Sequence, residues 1–175
     1  SITTIYEKDG VQVDPVEAGN YDIFVSVTEG NKYQAIEKLP IGTLVIKQAE
    51  QNVPELELSQ NSVKLTEEAP VLTVKNSAME NGTVTYASSN EAVATINENG
   101  EITLVGVGNV EFTVTFGATN NYSAKSATIS LEVTRGTLVA DDFIVENNNT
   151  TFDGSVKEAT VKTDLEGVGT ITVTY

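Results

Sequence analysis

Hydrophobic and polar residues alternate with a period of two along most of this chain, and no segment shows a helical period. The clearest apolar runs are Tyr21, Ile23, Val25 and Val27; Val110, Phe112, Val114 and Phe116; and Ile129, Leu131 and Val133. The residues between them are mostly Thr, Ser, Asp or Glu. Strands with one buried and one wet face are typical of antiparallel sheets, so the pattern predicts an all-β chain.

Turn signals separate the runs at the short intervals expected of a β-sandwich. The strongest is Asn99-Gly100, which lies between the apolar segments 94–96 and 102–104. Both residues of this pair tolerate a positive φ, which two-residue hairpin turns require. The sequence therefore predicts tandem immunoglobulin-like antiparallel β-sandwiches.

Phe24 breaks the alternation because it falls on the polar side of its run, and its repeat counterpart is Thr113. An outward aromatic residue is a candidate contact with another domain, another molecule or a ligand, or a plain exposed side chain. Phe24 is the candidate contact-surface residue of the chain.

A long internal repeat sets the organisation of the chain. Residues 19–27 match residues 108–116, and Asn31, Tyr33 and Ala35 recur at the same offset as Asn120, Tyr122 and Ala124. The period is that of one small sandwich domain. The chain is therefore interpreted as a piece of a tandem array.

A second match relates the middle of the chain to its end. Residues 73–75 recur as 160–162, and residues 84–86 recur as 173–175. The predicted organisation is the second half of a unit at 1–49, a complete unit at 50–135 and the first half of a unit at 136–175. A half-unit exposes an apolar face and a free sheet edge. We expect the C-terminal half of one molecule to complete the N-terminal half of another, head to tail; the alternative is a processing boundary that left both flanks loosely folded.

One segment resembles a known family. Residues 87–96, Ala-Ser-Ser-Asn-Glu-Ala-Val-Ala-Thr-Ile, and 100–108, Gly-Glu-Ile-Thr-Leu-Val-Gly-Val-Gly, are similar to the group 2 bacterial immunoglobulin-like domains over residues 54–134. That family often has Trp before Ala87, where this chain has Tyr86. The terminal halves resemble a related bacterial surface repeat through residues 14–21 and 30–33. The resemblance implies a cell-surface or secreted bacterial protein, such as an adhesin.

Composition narrows the partners. The formal net charge is −15, so nucleic acid and anionic membrane surfaces are poor partners, since both need a positive face on the protein. The chain has no cysteine, no apolar run that could insert into a membrane and no export signal, and it begins at Ser1. We therefore expect a mature or excised fragment of an extracellular or cell-surface protein, whose export signal lies upstream.

Residue inventory argues against an enzyme. The chain has neither His nor Cys, which removes Ser–His and Cys–His nucleophile systems and imidazole metal sites. Asp141-Asp142 and Glu67-Glu68 are adjacent pairs whose side chains point to opposite faces of a strand, a poor geometry for a two-carboxylate glycosidase. No catalytic residue, cofactor or metal site is predicted.

The other aromatic residues are candidate core residues, because they fall at repeated or inward positions. They are Tyr21, Tyr33, Tyr86, Phe112, Phe116, Tyr122 and Tyr175. Tyr33 and Tyr122 are also candidates for tying a loop back onto the sandwich, as a tyrosine corner does.

Together these features predict a non-catalytic repeat segment that serves as a spacer, stalk or adhesion module. Its candidate partners are other copies of the chain, through the terminal half-units, and a host or matrix protein or a glycan. The alternative is a carbohydrate- or protein-binding accessory module of a larger secreted enzyme.

Overall fold

A computed structural model describes residues 1–174, in which β-strands are the dominant secondary structure. They fall into two units, Ser1–Thr134 and Arg135–Tyr175, each described by itself below. The strands of the described residues are β1 Ile2–Lys8, β2 Val11–Gln12, β3 Gly19–Val27, β4 Ile36–Ile46, β5 Ala49–Glu50, β6 Leu56–Leu58, β7 Ser62–Lys64, β8 Leu72–Val74, β9 Val84–Ser88, β10 Ala94–Ile96, β11 Ile102–Leu104, β12 Gly108–Phe116, β13 Tyr122–Ser123, β14 Lys125–Thr134, β15 Ile144–Glu146 and β16 Thr160–Lys162. Short 3-10 turns occur at Met79–Asn81 and Ala140–Asp142. No helix in this part of the chain has the length and apolarity needed to cross a membrane.

The middle of the first unit is a β-sandwich. One sheet has the strand order β7-β14-β12-β9, and the hairpins β6–β8 and β10–β11 supply further strands. Inward residues of β12 form the centre of the core, where Phe112, Val114 and Phe116 are completely buried. Leu58 and Leu72 from the β6–β8 hairpin pack in the same cluster as Phe112. The prediction of an all-β, immunoglobulin-like sandwich is confirmed.

The hairpin predicted around Asn99-Gly100 is present, with a different turn. Ile96 pairs with Ile102, and of the two turn residues only Gly100 has a positive φ, at 82°. The carbonyl of Asn97 accepts from the Gly100 N–H at 3.0 Å, and its side chain accepts from the Asn99 N–H at 2.9 Å. A local side-chain acceptor thus favours a longer loop that ends in one left-handed glycine.

The N-terminal part of the first unit is a four-stranded sheet with the order β2-β1-β3-β4. Strand β3 lies between β1 and β4, antiparallel to both, as β12 lies between β9 and β14. The two central strands are the matching segments of the repeat. Both begin with a glycine in a backbone conformation that favours glycine, at φ 153° for Gly19 and 143° for Gly108.

The two sheets differ in what covers them. In the N-terminal sheet Tyr21 is 2% exposed, and its hydroxyl donates to the Glu17 carbonyl at 2.7 Å. The next residues on that face, Ile23, Val25 and Val27, are only partly buried. Most of β4 is exposed. This part of the unit is therefore a single layer, with an apolar face open to solvent.

The second unit contains one hairpin among its described residues, β15–β16. Its register pairs Glu146 with Thr160, as β6–β8 pairs Glu57 with Thr73. No described residue of this unit is buried. A two-stranded hairpin without a core has little independent stability in water.

Candidate functional site at the junction of sheet and sandwich

The N-terminal sheet joins the central sandwich through a short link, residues 47–51, that lies against the β12–β14 loop, residues 117–123. Strand β5 pairs in parallel with β13, and Ala49 lies opposite Tyr122. The Ala49 N–H donates to the Asn121 carbonyl at 2.7 Å. We call these two segments, with residues 17–18 and Glu80, the junction.

Gln51 is the buried polar residue of the junction, at 4% exposure. Its Nε2 donates to the Gly117 carbonyl at 3.2 Å, and its Oε1 accepts from the Met79 N–H at 2.6 Å. A buried amide is tolerated when its donor and acceptor are both paired. Gln51 therefore fixes the start of the sandwich to two of its own loops.

The side chain of Asn121 contacts both sides of the junction. Its Oδ1 accepts from the Ala18 N–H at 2.7 Å, which reaches into the loop before β3. Its Nδ2 donates to Glu80 Oε1 at 2.7 Å, within the sandwich. One amide thus connects the N-terminal sheet with the sandwich.

Glu80 anchors this arrangement from the turn before β9. Its Oε2 accepts from Thr119 Oγ1 at 2.8 Å, in addition to the bond with Asn121. These hydrogen bonds, the one from the Asn121 side chain first and the one from Thr119 second, hold the pKa of Glu80 below its usual value. Glu80 adopts φ 51°, a conformation uncommon for a residue with a side chain.

Peripheral contacts widen the junction. Gln48 Nε2 donates to the Thr119 carbonyl at 2.8 Å, and Asn120 Nδ2 donates to Glu17 Oε2 at 2.9 Å. Both are exposed to solvent, so each contributes less than the buried amide of Gln51. These two bonds restrict the orientation of the N-terminal sheet relative to the central sandwich.

Phe24 lies on β3 and is partly buried. The ammonium of Lys38 lies 5.0 Å from its ring centroid, within the range of a cation–π contact. The same ammonium pairs with Glu7 at 2.8 Å. Phe24 thus has an intramolecular partner, and its role as a contact surface stays a prediction.

The outer face of the sandwich has a shallow depression lined by Ser89, Asn109, Glu111 and Ser130. It contains one carboxylate, that of Glu111, and the Ser130 hydroxyl lies 3.4 Å from Glu111 Oε1. Within residues 1–174, no group of three or more acidic side chains is placed to hold a metal ion.

The predicted aromatic core divides into three groups. Tyr21, Phe112 and Phe116 are buried, and Tyr86 and Tyr122 are partly buried. Tyr33 is 82% exposed, so its assignment to the core is wrong. Its loop carries no counterpart of the link that Tyr122 contacts. Tyr175 lies outside the described residues.

The junction residues escaped the sequence analysis. Asn121 was visible only as a neighbour of the repeated Asn120 and Tyr122. Its partner Glu80 is 41 positions away, and nothing in the pattern connects them. The repeated loop itself was the available signal.

Comparison with known proteins agrees with the fold. Residues 72–118 match the family model described as the immunoglobulin-like domain of intimin. The matched segment begins with β8 and ends just after β12, inside the central sandwich. Among curated proteins, none matches the chain. The match and the fold together support a bacterial immunoglobulin-like domain at the centre of this chain, and the group 2 resemblance stays a prediction.

Proposed function

We propose that this chain is a non-catalytic spacer segment of a bacterial cell-surface or secreted adhesin-type protein. The junction would hold the N-terminal sheet and the central sandwich at a restricted angle. The main support for this proposal is the Asn121 side chain, which is hydrogen-bonded to Ala18 on one side and to Glu80 on the other.

A restricted angle needs support, because small interfaces between domains usually permit motion. Here the link forms backbone hydrogen bonds with the sandwich, and the buried Gln51 extends the contact. Rotating the N-terminal sheet away would break the Ala49–Asn121 bond and the Ala18–Asn121 bond together. Several bonds that must break at once resist bending more than a flexible linker does.

The surface location rests on two supports. The match to the immunoglobulin-like domain of intimin places the sandwich among bacterial domains of that type. The net charge of −15 favours solubility and disfavours contact with anionic surfaces. The family match and the negative charge are both consistent with a spacer on a bacterial surface.

Distance measurements between spin labels test the proposal. The chain lacks cysteine, so Glu37→Cys on β4 and Glu98→Cys in the β10–β11 loop provide unique attachment sites. We expect a narrow distance distribution for the parent chain and a broader one for Asn121→Ala. Asn109→Ala, which removes an exposed amide from β12, is the matched control and should leave the distribution narrow. A broad distribution in the parent chain would contradict a spacer with a restricted angle.

Binding experiments separate this function from that of an accessory binding module. Binding of a glycan or a protein mapped to one loop or sheet face, with no change in the label distances, would favour the binding module. The partly buried Phe24 under Lys38 is the residue to test first. Glycan or protein binding by the parent chain that Phe24→Ala abolishes would favour the binding module, whereas a spacer shows no such binding.

A further inference from the structure

The N-terminal sheet has an uncovered face at the positions where the central sandwich has its core. The sequence repeat aligns Ile23, Val25 and Val27 with Phe112, Val114 and Phe116. The second set is completely buried, whereas the first is partly exposed. Side chains at the edges add to the open apolar surface, namely Ile2 at 76% exposure, Ile36 at 43% and Leu39 at 45%.

The second unit holds the element that the N-terminal sheet lacks. In the sandwich the β6–β8 hairpin covers the core with Leu58 and Leu72. The β15–β16 hairpin repeats its register, and it repeats its ion pair: Lys75–Glu57 at 2.8 Å corresponds to Lys162–Glu146 at 2.5 Å.

Two apolar side chains of the second unit are more exposed than the face they would cover. Phe152 and Val156 lie between β15 and β16 and are 92% and 87% exposed. In the sandwich the corresponding stretch, between β6 and β8, contains β7 with Val63 at 2% exposure.

We propose that residues 137–174 of a second copy of this chain cover the apolar face of the N-terminal sheet, head to tail. The inference goes beyond the spacer function, which does not require self-association. The contact is heterologous, since different surfaces meet, so repeated contacts build an open filament or a ring.

The apolar face alone is a small contact. Strands β1, β3 and β4 have seven, nine and eleven residues, whereas β2 has only two. Three strands span roughly 14 Å and a nine-residue strand is about 30 Å long, so the face measures about 400 Å². Covering it buries roughly 800 Å² over both partners, below the lower limit of about 1,000–1,200 Å² for specific protein interfaces, so the arrangement needs a further contact.

Tyr33 supplies a second, independent contact for the same arrangement. Tyr122 lies opposite Ala49 of the incoming link. Its repeat counterpart, Tyr33, is 82% exposed. Docking residues 137–174 of a second copy would bring that copy's own link, residues 135–138, to Tyr33. One arrangement thus accounts for the apolar face and for the exposed tyrosine.

Strand β1 lies beside β3. Residues 171–175 match β1 by sequence, so β1 already fills the place that they would take. The second copy therefore needs to contribute only residues 137–170. Deleting residues 171–175 should leave the association intact. Loss of association on this deletion would contradict the proposed arrangement.

Complementary variants test the two surfaces separately. Val25→Asp damages the face of the N-terminal sheet, and Phe152→Asp damages the second unit. We expect the parent chain to increase in mass with concentration in sedimentation equilibrium, and each variant alone to stay monomeric. Mixing the variants should produce a one-to-one heterodimer, because each retains one intact surface, and this recovery excludes simple misfolding. Asn20→Asp, with the same added charge on the opposite side of β3, should assemble like the parent chain.

Three further outcomes would overturn the proposal. One is a parent chain that stays monomeric at every concentration. A monomer whose β15–β16 amides are protected from hydrogen exchange also counts here, because that protection would indicate closure within the molecule. Another is a variant that still associates alone, and the third is a mixture that stays monomeric. Tyr33→Ala should weaken association severalfold, and an unchanged affinity would remove Tyr33 from the contact.

Discussion

Phe112 of β12 and Ile23 of β3 occupy matching positions in two sheets that share three strands in the same order, yet Phe112 is fully buried and Ile23 is partly exposed. The difference lies in the second layer. The sandwich places hairpins over Phe112, whereas the N-terminal sheet has no such cover within the described residues. The same position in the repeat thus belongs to a core in one case and to an open surface in the other.

Alanine at the two positions should therefore have unequal effects. Phe112→Ala should destabilise the sandwich by about 3–5 kcal/mol, the usual cost of emptying a buried aromatic site. Ile23→Ala should cost less, roughly 1–2 kcal/mol, because its side chain is only partly buried. Urea unfolding followed by circular dichroism measures both. Equal losses would show that the N-terminal face is covered in solution.

The strand arrangement was largely predictable from sequence, because alternation marks which side of each strand is apolar. The runs at 21–27 and 110–116 became β3 and β12, and the Asn99-Gly100 signal became the β10–β11 hairpin. Burial was less predictable. Tyr33 and Tyr122 are equivalent in the pattern, but only Tyr122 contacts a link, because burial depends on what packs opposite. The bond between Glu80 and Asn121 joins distant parts of the chain, and no local pattern encodes it.

The repeated glycines at the start of β3 and β12 should differ in their tolerance of a side chain. At Gly108 a Cβ would lie 2.8 Å from Val93 Cγ2, in the core, and φ is 143°. At Gly19 it would lie 3.0 Å from the flexible end of Lys8. Both substitutions strain the backbone, at about 1–3 kcal/mol. Gly108→Ala should cost more, because Val93 is buried and cannot move aside as Lys8 can.

Thermal unfolding of the two glycine variants checks this prediction. Gly10→Ala, in the same unit, is the control for backbone strain alone, since φ there is 80° and nothing lies within 4 Å of the added Cβ. Gly108→Ala should melt at the lowest temperature of the three. A Gly19→Ala variant that is equally destabilised would mean that backbone strain, rather than the contact with Val93, dominates.

Acid should loosen the junction through Glu80. The pKa of this carboxyl is lowered in the folded chain, chiefly by the Asn121 side chain, so its charged form contributes stability. That contribution is fully present above the ordinary Glu pKa of about 4.3 and is lost as the pH falls through the lower folded value. Comparing Glu80→Gln with the parent chain over this range measures it, and the difference in stability should shrink toward the acid end. A difference that does not change with pH would contradict the role of the charge.

The two repeated ion pairs give a last test, at high pH. The Glu57 side chain raises the pKa of Lys75, by its hydrogen bond first and its charge second, and Glu146 does the same for Lys162. A raised lysine pKa adds stability that is present below the ordinary value and is lost as the pH rises through the folded value. Titration of the lysine Cε signals by NMR should show that Glu57→Gln lowers the pKa of Lys75 and that Glu146→Gln lowers that of Lys162, with a smaller contribution from Asp164 remaining. Glu146 and Lys162 meet only when β15 and β16 are paired. If Glu146→Gln leaves the pKa of Lys162 unchanged, the hairpin of the second unit is not formed in solution. A matching response at Lys75 and Lys162 requires the same cross-strand register at both places in the repeat.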